Sequence, residues 1–222
     1  MSTYVLMRIL ESSPRRYDKG LHILTMGKLA DAYERLTEHI AKGDRALDLG
    51  SGTGALSLRA AGKGAAVLGI DVNPQMLEIA RHRAKQVGLD SRVEFREAGV
   101  TDLESESAET YDVVMSGLCL SELTEDEVSY ALRQSFRALR PGGLLLLVDE
   151  IVPEDARKRI LNAIVRFPLA ILAYLWTQTT THALKGLPLR VERAGFILES
   201  ERTSNLGSLM ELVARKPAVN GQ

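Results

Sequence analysis

The chain's fold is most constrained by a run of short apolar segments, each followed by a helical pattern. Arg45 to Leu49 is the first, followed by a glycine-rich turn and a helical pattern near Ala55 to Ala61. Ala66 to Ile70 is the second. A helix is then predicted from Pro74, tolerated in a first turn, to about Val87, with Gly88 as its stop. Val93 to Glu97 and Tyr111 to Ser116 read as the third and fourth strands. Glu125 to Leu139 reads as a helix capped by Thr124 and ended before Pro141-Gly142-Gly143. Leu144 to Val148, apolar throughout, is a fifth strand of the kind buried on both faces. This alternation predicts right-handed βαβ units and an α/β, doubly wound, mostly parallel sheet covered on both faces.

The two ends of the chain depart from the alternation. Residues 14–42 carry apolar residues at mostly three- and four-residue steps and end at Gly43-Asp44, as a helical segment would. After the fifth strand, Leu187 to Ala194 looks helical. Phe196 to Arg202 and Ser208 to Ala214 look like strands joined closely enough for an antiparallel hairpin. We therefore expect a single domain over residues 1–222. It divides into a helical cap (1–43), a core (44–150), an apolar lid-like insertion (151–186) and a C-terminal helix and hairpin (187–222).

Composition removes several function classes. Lys and Arg total 28 against 29 Asp and Glu, so the basic excess of a duplex nucleic-acid binder is missing. Aromatic residues at 5% leave little for base-stacking platforms. The one cysteine, Cys119, excludes a disulfide framework within the chain and a Cys-rich zinc site. Flanked by Leu118 and Leu120, it reads as a buried structural thiol. His22, His39, His82 and His182 lack metal-ligand spacing, so no metal is expected. Met1 to Leu10 shows no secretory pattern. The apolar stretch from Ile160 to Trp176 is interrupted by Asn162, Arg166 and Pro168 and falls short of the roughly 20 residues of a spanning helix. The expected location is cytoplasmic. Residues 157–176 are kept as a candidate peripheral membrane contact, protein contact or acceptor lid, against the plainer reading of a helix that completes the core.

Chemistry concentrates in Asp48-Leu49-Gly50-Ser51-Gly52-Thr53-Gly54, which leaves the first strand and opens the first helix. Glycines there permit unusual dihedrals and close ligand approach, and a helix N-terminus favours a negative group. Asp71 closes the second strand 21 residues after Gly50, where an acid can accept hydrogen bonds from ribose hydroxyls. The third glycine comes one residue too early for a dinucleotide fingerprint, and Asp48 stands two residues ahead of the first. That pattern suits a cofactor with a ribose and no pyrophosphate.

The segment resembles the first motif of the class I S-adenosylmethionine-dependent methyltransferases, and the resemblance runs over about residues 17 to 150. Gly69 to Leu77, Val93 to Arg96, Tyr111 to Ser116 and Leu139 to Gly143 resemble the family's later motifs in order. Arg16-Tyr17-Asp18 and Leu24 to Gly27 are similar to the ubiquinone/menaquinone C-methyltransferase-like small-molecule group. The resemblance implies a Rossmann-like, seven-stranded sheet whose last strand is antiparallel, with S-adenosylmethionine as cofactor. It further implies that Gly50, Ser51, Gly52 and Gly54 pass around the methionine part and that Asp48 helps hold its ammonium. Asp71 would take the ribose hydroxyls and Val72 would lie against the adenine. Met76, Gly99, Val100 and Ser116 complete the implied cofactor set.

Two departures weigh against a plain carry-over. The Gly-Asp-Ala common after the third strand is replaced by Ala98-Gly99-Val100, with Asp102 either standing in for the missing acid or serving as an ordinary loop residue. Ser121-Glu122 stands where quinone-type relatives often carry two histidines. No Asn-Pro-Pro-Tyr-like motif follows the fourth strand, against methylation of amino groups in DNA or protein amides. Ligands of open α/β sheets bind beyond the carboxyl ends of the strands. This makes Glu122, Asp149 and Glu150 candidate bases or cation-orienting groups, with Tyr17 a candidate at the entrance helix and His22 and His182 weaker ones. The expected activity is methyl transfer to a small or lipophilic acceptor, quinone-like or otherwise. The alternatives are a methyltransferase acting with a protein partner such as a corrinoid protein, or a non-catalytic S-adenosylmethionine-binding module.

Overall fold

In the computed structural model, which describes residues 25, 27–152, 183–204 and 207–218, the alternation folds as one seven-stranded sheet. Its strands are β1 (Arg45–Leu49), β2 (Ala66–Asp71), β3 (Val93–Glu97), β4 (Tyr111–Gly117), β5 (Leu139–Glu150), β6 (Ile197–Ser204) and β7 (Leu209–Arg215). In space they run β3-β2-β1-β4-β5-β7-β6. The first five pair in parallel, and β7 lies antiparallel between β5 and β6. This is the doubly wound sheet with a C-terminal antiparallel hairpin that the sequence predicts.

The helices are α1 (Lys28–Thr37), α2 (Ala55–Gly62), α3 (Pro74–Gln86), α4 (Glu125–Ala138) and α5 (Leu187–Arg193). Along β5, Leu145 and Leu147 point into the core shared with α4 and α5, whereas Leu146 and Val148 point into the core shared with α1, α2 and α3. Both faces are covered, so the strand reads as an unbroken apolar run. Each of these four side chains is at most 1% exposed and contributes about 1.5–3 kcal/mol by leaving water.

Local signals set the helix ends. The Asn73 side chain accepts from the amides of Gln75 and Met76, with Pro74 in the first turn, and Gly88 follows the last turn of α3 at φ +68°. Thr124 and Glu127 form a reciprocal capping box on α4. The fifth strand differs from expectation. It begins at Leu139, because Leu139 pairs with Tyr111 and Leu144 with Val113, and Pro141-Gly142-Gly143 loops out between them as a bulge. A bulge is where a strand tolerates proline and a glycine at φ +81°.

The Arg35 guanidinium of α1 makes a bidentate pair with Glu211 of β7, at 2.8 and 2.6 Å, and fixes that helix to the sheet. Of the predicted 14–42 helix, Lys28–Thr37 is helical, and residues up to 24 lie outside the described residues. The apolar 157–176 stretch also lies outside them. Both of its flanks return to the carboxyl end of β5, where Leu184 donates its amide to the Glu150 carbonyl and accepts from the Val152 amide. No helix among the described residues is long and apolar enough to cross a membrane.

Candidate functional site

The carboxyl ends of β1, β2, β4 and β5 converge, and each delivers polar groups from the strand end or the loop that follows. Gly50, Gly52 and Gly54 in the turn after β1 all have positive φ, at 66°, 51° and 80°. Their reasons differ. A Cβ on Gly50 would stand 2.5 Å from the Cβ and Sγ of Cys119, and one on Gly54 would press on Phe95 and Ala80. A Cβ on Gly52 would meet nothing within 4 Å, so that glycine faces open space and is required by its backbone alone.

Asp71, at the end of β2, is tied to this turn. Its Oδ2 accepts from the Gly52 amide and its Oδ1 from the Asn73 amide, both at 2.8 Å. Asp48, 1% exposed at the core end of the same turn, accepts from the Ser57 hydroxyl at 2.5 Å. Burial, with repulsion from Asp71, pushes its carboxyl up to about 7. Glu122 lies in the short 3-10 turn Leu120–Glu122 after β4 and is also pushed up to about 7, by burial and then by Asp71 and Asp149. Burial raises Asp71 too, against the opposing hydrogen bonds of its backbone donors. Cys119 stands where these fields meet. Its thiol is driven far up by burial and then by Asp149, Glu122, Asp71 and Asp48. Its flanking leucines suggested a buried thiol, whereas Cys119 is only half-buried; the raised thiol is a poor nucleophile at neutral pH.

Asp149, at the end of β5, is tied to the turn that follows β4. It is 1% exposed, and its Oδ2 accepts from the amides of Leu120 and Ser121 at 2.8 and 3.3 Å. It therefore holds the turn that carries Glu122, and burial pushes it up to about 6. Glu150 is half-buried at the last position of β5, opposite Leu209. Ser116 donates to the Leu49 carbonyl at 3.0 Å and pins β4 to β1.

The other side of the converging ends is more open. Val72 is 70% exposed directly after Asp71. Gly99 lies beside it, where a Cβ would stand 3.3 Å from the Val72 side chain. Asp102 accepts from the Gly99 amide at 2.8 Å and caps the 3-10 helix Val100–Ser105, so this acid is engaged within its own loop. Val100 and Met76 are nearly buried beneath this side. Tyr17, His22 and His182 lie outside the described residues.

Sequence reasoning missed Tyr33. This α1 residue lies over the end of β4, where a Cβ on Gly117 would be 2.4 Å from its hydroxyl. The next residue, Leu118, has φ +59°, a conformation that costs about 1–2 kcal/mol for a side chain of this kind. Its spacing in the periodic apolar pattern of residues 14–42 marked Tyr33 as core; no local signal showed that its phenol reaches the end of β4. Tyr33, Asp48, Gly50, Gly52, Gly117 and Leu118 line one side of a cavity of about 520 Å³ that extends past Leu56 and Arg59 to Arg83. This lies within the range of small-molecule sites.

Known proteins resemble this chain in sequence and in fold. A family described as methyltransferase domain matches residues 46–143. Erythromycin 3''-O-methyltransferase of Saccharopolyspora erythraea is 36% identical over 124 residues, covering 54% of this chain and 38% of that protein. A ubiquinone/menaquinone biosynthesis C-methyltransferase of Azotobacter vinelandii is 32% identical over 154 residues, covering 67% of this chain and 59% of that protein. The chain thus spans less than two thirds of the length of each of these relatives. Among solved structures, an S-adenosylmethionine-dependent methyltransferase from Methanosarcina mazei superposes with a TM-score of 0.64 at 22% identity, covering 82% of this chain and 96% of that one. The glycine turn, its acids, the strand order and these likenesses agree: residues 46–143 match a methyltransferase domain, and the sheet that carries them has the fold of an S-adenosylmethionine-dependent methyltransferase.

Proposed function

We propose that this chain transfers a methyl group from S-adenosylmethionine to a small, largely apolar acceptor. The observation that carries the reading is the gathering of Asp48, Asp71, Glu122 and Asp149 around one glycine turn, each driven toward the neutral form by burial, with repulsion among the acids adding at Asp48 and Glu122. Such a cluster calls for a cationic ligand. S-adenosylmethionine supplies a methyl group on a positively charged sulfonium, which is already a good leaving group, and a second positive charge on its ammonium.

The residues present fit that cofactor. Both Asp71 oxygens are anchored by backbone amides and each keeps a lone pair, enough for two ribose hydroxyls. The exposed Val72 beside Gly99 offers an apolar face for the adenine. The open space at Gly52 admits close approach, and the buried Ser51 hydroxyl lacks a hydrogen-bond partner among the described residues. Asp48 would hold the ammonium.

In this reading, the protein aligns acceptor and methyl group and keeps water out. Where the acceptor is a weak nucleophile, Glu122 is the favoured base of the predicted set. With its carboxyl near 7, it can take a proton at neutral pH. Glu150 and Tyr17 remain the other candidates. Isothermal titration with S-adenosylmethionine tests the cofactor. Incubation with methyl-labelled cofactor and a cell extract, fractionated into lipid, small-molecule, protein and nucleic-acid pools, tests the acceptor. Label in the lipid or small-molecule pool is expected. Label in protein favours the protein-partnered alternative, and absence of cofactor binding refutes the reading.

A further inference from the structure

Leu118, directly after β4, is one of two non-glycine residues with positive φ among the described residues. The other, Glu109, lies in an exposed turn. At φ +59°, Leu118 occupies a region that a leucine adopts only where its surroundings impose it.

Contacts on either side impose it. Before it, Gly117 lies under the Tyr33 phenol, where a Cβ would stand 2.4 Å from the hydroxyl. After it, the Cys119 side chain fills the space over Gly50 of the glycine turn. The Leu118 amide donates to the Val148 carbonyl at 2.9 Å, and the amides of Leu120 and Ser121 donate to Asp149. Three amides of this segment thus end on neighbouring residues of β5. The half-buried Leu118 packs against the core shared with α1, α2 and α3, and it lines the cavity together with Leu29, Tyr33 and Leu56.

A glycine at this position would relieve the strain, so a leucine kept there points to a use for its side chain. The strand order indicates the ligand it serves. In the run β3-β2-β1-β4, β4 lies across β1 from β2. Asp71 and Val72, assigned above to ribose and adenine, end β2, whereas Leu118 stands on the other side of the glycine turn. We propose that Leu118 is a specificity-determining residue for the methyl acceptor: its strained backbone holds the side chain as an apolar wall against which the acceptor packs. The inference rests on the methyltransferase reading above and adds to it the residue that selects an apolar acceptor. A wall fixed by its own backbone loses little freedom when a ligand arrives.

The probe is 2-naphthol, a neutral apolar molecule, titrated calorimetrically into the full chain saturated with S-adenosylhomocysteine. Leu118→Ala keeps the strained backbone and removes most of the side chain. Leu118→Gly removes both, and Leu118→Met keeps an apolar side chain of similar volume. In the Ala and Gly variants, naphthol affinity is expected to fall roughly tenfold further than S-adenosylhomocysteine affinity. In the Met variant it should stay within about threefold of the parent. Leu118→Gly should also melt at a higher temperature than Leu118→Ala, because only glycine relieves the strain. No binding of naphthol to the parent, parent-like naphthol affinity in the Ala and Gly variants, or as large a loss in Leu118→Met overturns the proposal. Equal losses of naphthol and S-adenosylhomocysteine also overturn it, and give Leu118 to the cofactor. A Gly variant no more stable than the Ala variant removes the strain on which the argument stands. Failure of S-adenosylhomocysteine to bind the parent refutes the methyltransferase reading instead.

Discussion

Asp48→Asn separates what this aspartate does for folding from what it does for the ligand. Asp48 is buried at the heart of the domain, and its carboxyl moves from an ordinary 3.8 to about 7 on folding, chiefly because burial penalises the charge. Below the unfolded value both states are protonated. Between the two values the folded state holds a proton that the unfolded state has released, so stability falls as pH rises. Above about 7 the folded protein carries a buried charge. Over the whole interval the loss is about 4 kcal/mol, of which about 2–3 kcal/mol falls between pH 5 and pH 8.

Asparagine keeps an oxygen to accept from Ser57 and removes the charge together with its repulsion by Asp71. The stability of Asp48→Asn relative to the parent should therefore rise by about 2–3 kcal/mol from pH 5 to pH 8. Guanidinium unfolding of both proteins without cofactor at the two pH values measures it. Glu122 and Asp149 titrate in the same window in both proteins and largely cancel in the difference. Affinity for S-adenosylmethionine should move the other way. In the parent it weakens as pH falls through 7, and in the variant it is weak with a smaller pH dependence. A stability difference that is the same at pH 5 and pH 8, or that favours the parent more at pH 8, refutes the assignment of a buried, raised Asp48.

Three further outcomes follow from the geometry. Asp71→Ala removes a charged acceptor from the proposed ribose contact and should weaken S-adenosylmethionine binding by about 1.5–3 kcal/mol in calorimetry. Gly50→Ala brings a Cβ to 2.5 Å from Cys119 at φ +66°, so thermal unfolding should drop, and Cys119→Ala, which keeps its own Cβ in the way, should not restore it. Glu211→Ala leaves the Arg35 guanidinium without its bidentate partner and should cost about 1–3 kcal/mol in chemical denaturation, with α1 released from β7.

Much of this protein was determined by local sequence. The apolar runs separated by helical patterns set the strand and helix order. Asn73-Pro74, Gly88 and Thr124 with Glu127 set helix ends, because capping is a contact between residues a few positions apart. The glycine turn and Asp71 were legible for the same reason: the dihedrals and the strand end are local, even though the Gly52 amide that Asp71 accepts from is 19 residues away.

What the sequence did not determine is which residues meet. The bulge at Pro141-Gly142-Gly143 appears only once Leu139 has paired with Tyr111 and Leu144 with Val113. Asp149 became an anchor for the Glu122 turn only because β5 lies beside β4. Tyr33 reached Gly117 only because α1 packs across the sheet, held by Arg35 to Glu211. The mutual field of Asp48, Asp71, Glu122 and Asp149 is likewise a product of the strand order. Their charges interact through low-dielectric interior, while along the chain neighbouring members of the set stand 23 to 51 positions apart. A carboxylate in the sequence has an ordinary acidity; burial beside other carboxylates makes it a site that calls for a cation.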